Sequence, residues 1–164
     1  MQALEQQMTV YLRYHRDARN KLTHLFGVPL IIFALLIPMC RLGVDVAGVR
    51  ITLAHAFLVL VLGYYLALDA GLAVALTIAA AGLLWAAQWI AGLDTATSWL
   101  VFVGAFAGGW GLQLLGHHYE GRRPALVDNI WQIFVAPLFV MAEVLARLGW
   151  KRDLLRRAEQ EDAL

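Results

Sequence analysis

The chain has 164 residues, which is enough for a single domain. It is 61% hydrophobic and only 15% charged, whereas soluble domains average about 45–50% apolar and about 25% charged residues. A mean hydropathy of +0.66 also indicates a lipid environment. The net charge of +1 excludes a strongly basic surface for nucleic acid, and the single cysteine excludes an intrachain disulfide.

An amphipathic helix is predicted within residues 1–19. One helical face carries Leu4, Met8, Tyr11, Leu12 and His15, and polar residues occupy other positions, namely Gln6, Gln7, Arg13 and Arg16. This pattern is typical of a helix that lies along a membrane surface or on a protein surface. Asn20 is a candidate N-cap for the helix that follows.

Four apolar stretches follow, over about residues 22–42, 51–68, 72–90 and 97–115. A membrane-crossing helix must cover about 30 Å of hydrocarbon at about 1.5 Å per residue, and these stretches approach or reach that length. Residues 43–50 are expected to form a short loop. The fold class predicted for residues 1–164 is all-α, an integral membrane four-helix bundle in one domain.

Positive charges predict the orientation of this bundle. Four cations precede the first span, and the positive-inside rule places them in the cytoplasm: Arg13, Arg16, Arg19 and Lys21. Four spans return the chain to the cytoplasm at His117. A fifth span over 130–148 would export the basic tail, so we interpret that stretch as a re-entrant or interfacial helical hairpin broken near Pro137. Both termini are then cytoplasmic, in a bacterial inner membrane or, in a eukaryote, the endoplasmic reticulum.

Three histidines can meet at the cytoplasmic face. His24 begins the first span and His117 ends the fourth, so a bundle brings them to the same side of the membrane. His15 lies nine residues before His24 and would face away from it on a straight helix. It can join them only if the helix breaks, and Asp17 and Asn20 offer a place for that break.

Other polar residues are judged by their distance from this group. Glu120 follows His117 by three residues and shares its helical face, which Gln113 extends into the apolar region. His55 is expected to lie about 20 Å away near the far end of the second span. His118 is interpreted as a surface residue or as a neighbour of the site.

These residue types favour a metal site. Neutral imidazole is the commonest metal ligand, and imidazole with carboxylate suits Fe(II). Three histidines, or two with Glu120, would hold one metal and leave positions open for substrate and oxygen, and zinc could substitute for iron. Lys21, Arg122 or Arg123 could bind a fatty-acid carboxylate, or could simply contact lipid phosphate.

Other interpretations of the same residues remain open. The histidines can be ordinary polar residues of a membrane interface, and the chain would then be a non-catalytic lipid-binding scaffold or a small carrier. Such a protein would bind no metal and would not depend on the histidines. A third possibility is that pairs of histidines bind haem.

Two separated motifs resemble those of a known family. The N-terminal one consists of Tyr14-His15-Arg16, Asn20-Lys21, His24 and Gly27-Val28-Pro29-Leu30. The C-terminal one consists of Gln113, Gly116-His117, Glu120, Arg123-Pro124-Ala125-Leu126, Asp128-Asn129, Gln132, Ala136-Pro137-Leu138-Phe139 and Glu143. Together they resemble the Mpo1-like family and bracket nearly the whole chain.

The resemblance implies an Fe(II)-dependent dioxygenase that uses O2 to shorten 2-hydroxy fatty acids by one carbon in α-oxidation. It favours His15, His24 and His117 as metal ligands, with Glu120 as a fourth ligand or a base beside them. The candidate substrate-binding residues are Lys21, Asn20, Gln113, Arg122 and Arg123. The acyl tail would lie among the apolar helices, in contact with membrane lipid, and a homo-oligomer is compatible with the sequence.

Overall fold

The computed structural model describes residues 2–124 and 131–162. Within these ranges the chain forms seven helices and one two-stranded hairpin: α1 Gln2–Leu12, α2 Ala18–Arg41, β1 Gly43–Val46, β2 Val49–Thr52, α3 Leu53–Leu68, α4 Ala70–Ala91, α5 Thr95–Glu120, α6 Gln132–Arg147 and α7 Arg152–Asp162. The predicted helical fold class is therefore confirmed.

Helix α2 is the centre of the fold and packs most extensively along α5, with further contacts to α3, α4 and α6. Glycines allow the backbones of α2 and α5 to approach closely. A Cβ atom on Gly109 would lie 2.6 Å from Cγ1 of Ile31 and 3.2 Å from the carbonyl oxygen of Gly27. One on Gly116 would overlap the side chains of Thr23 and Asn20. This close contact brings the start of α2 beside the end of α5.

Replacing Gly109 by alanine is expected to destabilise the protein, because overpacking a close contact costs about 1–3 kcal/mol. Gly111→Ala is the matched control on the same helix. A Cβ atom there meets nothing within 4 Å, and alanine favours a helix over glycine by about 1 kcal/mol. Thermal unfolding of the full chain in detergent compares the two variants. Equal midpoints would contradict the close α2–α5 contact.

Three helices in the described residues are long and apolar enough to cross a membrane, namely α2, α4 and α5. Helix α3 is also apolar but has only 16 residues, which gives it a length of about 24 Å. It is shorter than the predicted second span because α3 begins at Leu53. The fourth crossing and the four-helix membrane bundle remain predictions.

The predicted loop at 43–50 is wrong, because strands β1 and β2 pair there as an antiparallel hairpin. Val44 lies opposite Ile51, and Asp45 lies opposite Arg50. Ala47 and Gly48 make the turn with φ values of 50° and 80°. Two successive residues with positive φ are typical of the type I′ turns that close two-residue hairpins.

The predicted break near Pro137 is also wrong, because α6 continues through this residue. Helix α6 packs with α7 and α1 to form a cap on one end of the long helices. The apolar face of α1 is buried in this cap and does not face outward. The core of the cap includes Leu4, Met8, Tyr11, Leu12, Leu138, Phe139, Leu155 and Ala158.

Candidate metal centre

Three buried histidines meet where the α1–α2 connection, α2 and α5 converge. His15, His24 and His117 are 1%, 3% and 6% exposed. One potential ligand atom from each lies within 4.8 Å of the other two. The structure therefore brings together the three histidines that the sequence singled out.

The helix break that allows this convergence lies between Leu12, where α1 ends, and Ala18, where α2 begins. Asp17 is the N-cap of α2, and its side chain accepts a hydrogen bond of 2.7 Å from the backbone N–H of Arg19. The prediction that Asn20 caps this helix is wrong, since Asn20 lies inside α2 and is fully buried. A cap at Asp17 leaves the Asn20 side chain available for other partners.

Glu120 and Asn20 hold the α1–α2 connection against the end of α5. The Glu120 carboxylate accepts hydrogen bonds from the backbone N–H groups of Arg16 at 2.9 Å and Asp17 at 2.8 Å. It also accepts one from Nδ2 of Asn20 at 3.0 Å, and the same amide donates to the carbonyl of Tyr14 at 3.1 Å. The carboxylate thus binds the two backbone N–H groups on either side of the Cα atom of Arg16, the residue next to His15.

Hydrogen bonds determine which nitrogen of each ring carries the proton. Nδ1 of His15 lies 2.8 Å from the carbonyl oxygen of Tyr11, and Nδ1 of His24 lies 2.9 Å from that of Asn20. A carbonyl oxygen only accepts, so both Nδ1 atoms must donate. In the neutral rings both Nε2 atoms then carry lone pairs, and these two atoms are 3.1 Å apart. Two lone pairs at this distance repel each other unless a cation lies between them.

The environment of the rings keeps them available as ligands. Burial, together with the nearby His24 ring, lowers the pKa of His15 to about 2, and metal ligation requires the neutral imidazole. Nδ1 of His117 is buried and has no hydrogen-bond partner in the described part of the chain. Three neutral nitrogen donors, two of them oriented by backbone carbonyls, fit a first-row transition metal.

Tyr11 supports His15 and was missed by the sequence reasoning. Its ring stacks on that of His15 with centroids 3.9 Å apart and an angle of 3° between the planes. The available signal was the spacing of four residues between them, which places two side chains on one helical face.

A cavity of about 510 Å³ extends from the histidines between the helices, within the size range of small-molecule sites. Its lining is largely apolar, and its polar members include the three histidines, Gln113 and Gln132. On α2 the lining runs from His24 to Leu35, a distance of about 16 Å along the helix. Gln132 was part of the C-terminal motif but was not predicted as a site residue.

The predicted basic residues do not line this cavity. Lys21 forms an ion pair with Glu143, whose carboxylate oxygen is 2.7 Å from Nζ. Arg122 donates a hydrogen bond of 2.9 Å to the carbonyl of Arg13, and Arg123 is exposed. Their role in binding a substrate carboxylate therefore stays a prediction.

The two remaining histidines lie outside the trio. His118 is exposed at the end of α5. His55 is bonded to Thr52 and to Gln88, at 2.7 Å and 3.2 Å. These partners satisfy both ring nitrogens of His55 at the start of α3.

These features define a class of helical protein in which buried histidines able to hold a metal border a long apolar cavity. The chain belongs to the Mpo1-like family, described as 2-hydroxy-palmitic acid dioxygenase Mpo1-like, whose sequence profile matches residues 1–148. It is 32% identical over 163 residues to the 2-hydroxy-palmitic acid dioxygenase MPO1 of Saccharomyces cerevisiae, a match that covers 96% of this chain and 88% of the yeast protein. No solved structure matches the chain significantly.

Proposed function

We propose that this protein is a membrane-embedded, Fe(II)-dependent dioxygenase that shortens 2-hydroxy fatty acids by one carbon. The observation that carries the proposal is that Nε2 of His15 and Nε2 of His24 lie 3.1 Å apart while both Nδ1 atoms face backbone carbonyls. Membership of the family and likeness to the yeast dioxygenase support the reaction class. The three long apolar helices support placement in a membrane.

The chain's own residues bind and orient the reactants in this proposal. His15, His24 and His117 are the ligands, and bound iron would supply the one-electron chemistry that O2 needs to react with an organic acid. Glu120 is a positioning residue, because its carboxylate already accepts three hydrogen bonds from the α1–α2 connection and α2. Tyr11 and Asn20 orient two of the rings through their backbone carbonyls.

The cavity suits the acyl chain of the substrate. Its apolar lining would exclude water and bury the tail, while the histidines at one end would face the carboxylate and the 2-hydroxyl. In the proposed topology this end lies at the cytoplasmic face and both termini are cytoplasmic. The head of the acid is thereby held with C1 and C2 next to the metal ligands.

The reaction balances with one O2 for each acid. The bond between C1 and C2 breaks, C2 becomes the carboxyl carbon of the shortened acid, and C1 leaves as CO2 with one water. These changes remove four electrons from the substrate, and O2 accepts all four. No further reductant is required.

Product analysis tests this function in the full chain, purified in detergent and loaded anaerobically with Fe(II). After O2 is added, 2-hydroxyhexadecanoic acid is expected to yield pentadecanoic acid by mass spectrometry, and hexadecanoic acid is expected to stay unchanged. If the iron-bound protein forms no shortened acid at any of the chain lengths tested, the proposed function is wrong. A lipid scaffold or carrier predicts this absence of product.

The far end of the cavity is expected to set the preferred acyl length. Ala80 lines the cavity on α4 and is buried, so Ala80→Phe should shorten the space and move the best substrate to shorter 2-hydroxy acids. The matched control is Ala81→Phe, since Ala81 is exposed and outside the lining. Competition among acids of graded length measures the preference. An unchanged length profile in Ala80→Phe would contradict this placement of the tail.

A further inference from the structure

Two buried glutamines line the same cavity as the three histidines and have polar atoms without partners in the described part of the chain. Gln113 is 7% exposed and Gln132 is 6% exposed. Nε2 of Gln113 and Oε1 of Gln132 make no hydrogen bond within the residues that the structure describes. Buried polar groups are nearly always hydrogen-bonded in native proteins. A donor and an acceptor left over at one cavity therefore indicate a ligand that offers an acceptor and a donor.

Gln113 is held close to the metal ligands. It precedes His117 by four residues on α5, so the two side chains share a helical face. Its Nε2 atom lies 2.7 Å from the position that a Cβ atom on Gly27 would take. The absence of a side chain at Gly27 thus leaves the space that the amide occupies.

Gln132 is the first residue of α6, and the first turn of this helix borders the cavity through Gln132, Ile133 and Phe134. The hydroxyl of Tyr65 donates a hydrogen bond of 2.8 Å to the carbonyl of Phe134, which ties this turn to α3.

No lysine or arginine is found among the described residues that line the cavity. A 2-hydroxy acid nevertheless presents a carboxylate, which accepts hydrogen bonds, and a hydroxyl, which donates one. We propose that Gln113 and Gln132 bind this oxygenated end, with the Gln113 amide donating to the carboxylate and the Gln132 amide oxygen accepting from the 2-hydroxyl. This assignment rests on the proposed function, and it gives the substrate head a neutral amide site.

The proposal makes Gln132 a determinant of specificity for the hydroxyl group. A plain fatty acid of the same length offers no donor at C2, so Oε1 of Gln132 stays buried and unpaired when that acid binds. A site built to bond a substrate hydroxyl discriminates against the analogue that lacks it for this reason. Gln113 contacts the carboxylate that both acids share and is not expected to discriminate.

Binding to the metal-free full chain in lipid nanodiscs tests this assignment without turnover. The probes are 2-hydroxyhexadecanoic acid and hexadecanoic acid, each displacing a fluorescent fatty acid. The wild-type chain is expected to bind the hydroxy acid about 5-fold more tightly than the plain acid. Gln132→Met should bind the two acids equally, and Gln113→Met should weaken both by a similar factor. Gln88→Met is the matched control, because Gln88 is bonded to His55 outside the cavity lining.

Gln132→Ala keeps the test decisive if Gln132→Met fails to fold, because it also removes the oxygen that accepts from the hydroxyl and should bind the two acids equally. Gln132→Glu retains an accepting oxygen, so it should keep the preference while its charge weakens binding of both acids. An undiminished preference in Gln132→Met or Gln132→Ala would overturn the proposal, as would wild-type protein without one. If iron-loaded wild-type protein forms the shortened acid while the glutamine variants bind as wild type does, the amide site fails and the function stands. If the wild-type chain prefers the hydroxy acid but forms no shortened acid, the amide site stands and the proposed function fails.

Discussion

His24→Ala is expected to lower both the bound iron and the turnover of 2-hydroxy acids by about 100-fold or more. His24 supplies one of two Nε2 atoms that face each other at 3.1 Å, and its removal leaves His15 and His117 as an incomplete set. Loss of groups that merely orient a ligand already costs about 10–100-fold in metal affinity. Elemental analysis of the loaded, washed protein and mass spectrometry of the products measure the two quantities.

Two other histidines provide matched controls for this substitution. His118 neighbours His117 but is exposed, and His55 is satisfied by Thr52 and Gln88. His118→Ala and His55→Ala should therefore keep both iron and turnover. Full iron loading after His15→Ala, His24→Ala or His117→Ala would contradict the ligand assignment.

Stability of the metal-free protein separates a ligand from a packing residue. His24→Ala removes the repulsion between the two Nε2 atoms as well as the packing of one ring, so its net destabilisation should be small. The control is Leu36→Ala in the same helix, where Leu36 is fully buried. A buried Leu→Ala substitution typically costs about 2–5 kcal/mol. Equal losses in chemical denaturation would indicate that His24 is ordinary core.

Glu120→Ala is expected to weaken metal binding by about 10–100-fold, although Glu120 contributes no ligand in this account. The substitution leaves two backbone N–H groups and one N–H of the Asn20 amide without their acceptor, although this amide keeps its bond to the Tyr14 carbonyl. Each unsatisfied group costs about 1–3 kcal/mol if it stays buried. The connection that carries His15 would therefore shift to find other partners, and competition with a chelator measures the resulting affinity.

Glu120→Gln distinguishes a positioning residue from a direct ligand. A glutamine oxygen can still accept part of these hydrogen bonds, so this variant should retain most of the metal affinity. A direct ligand would instead lose affinity about equally in both variants. X-ray absorption of the bound metal would then show fewer oxygen neighbours, and that outcome would reassign Glu120 as the fourth ligand.

The sequence predicted which residues meet because the spacing of polar residues in an apolar chain is a local signal. Counting spans placed His24 and His117 on one side, and the angle between His15 and His24 required a helix break. The same reasoning chose Asn20 as the cap because asparagine and aspartate are equally good caps. The Asn20 side chain instead bonds to Glu120, which is a hundred residues away in the sequence. Asp17 is therefore the residue that caps the helix.

Other features of the fold were not predicted, either because they depend on tertiary contacts or because a local signal in the sequence was not used. The ion pair between Glu143 and Lys21 could not be predicted from spacing, because it forms only where α6 packs against α2. The apolar face of α1 gave no indication that α6 and α7 would cover it. The hairpin was predictable in principle, since alternating valines flank Ala47 and Gly48.

Isotope labelling of the carbon that leaves as CO2 tests the proposed reaction directly. The full chain, loaded with one equivalent of Fe(II), is mixed with 2-hydroxyhexadecanoic acid labelled with carbon-13 at C1, and O2 consumption is recorded. We expect labelled CO2, unlabelled pentadecanoic acid and one O2 consumed for each acid, with no product from His24→Ala. Label retained in the fatty product, or equal turnover by His24→Ala, would contradict the proposed reaction.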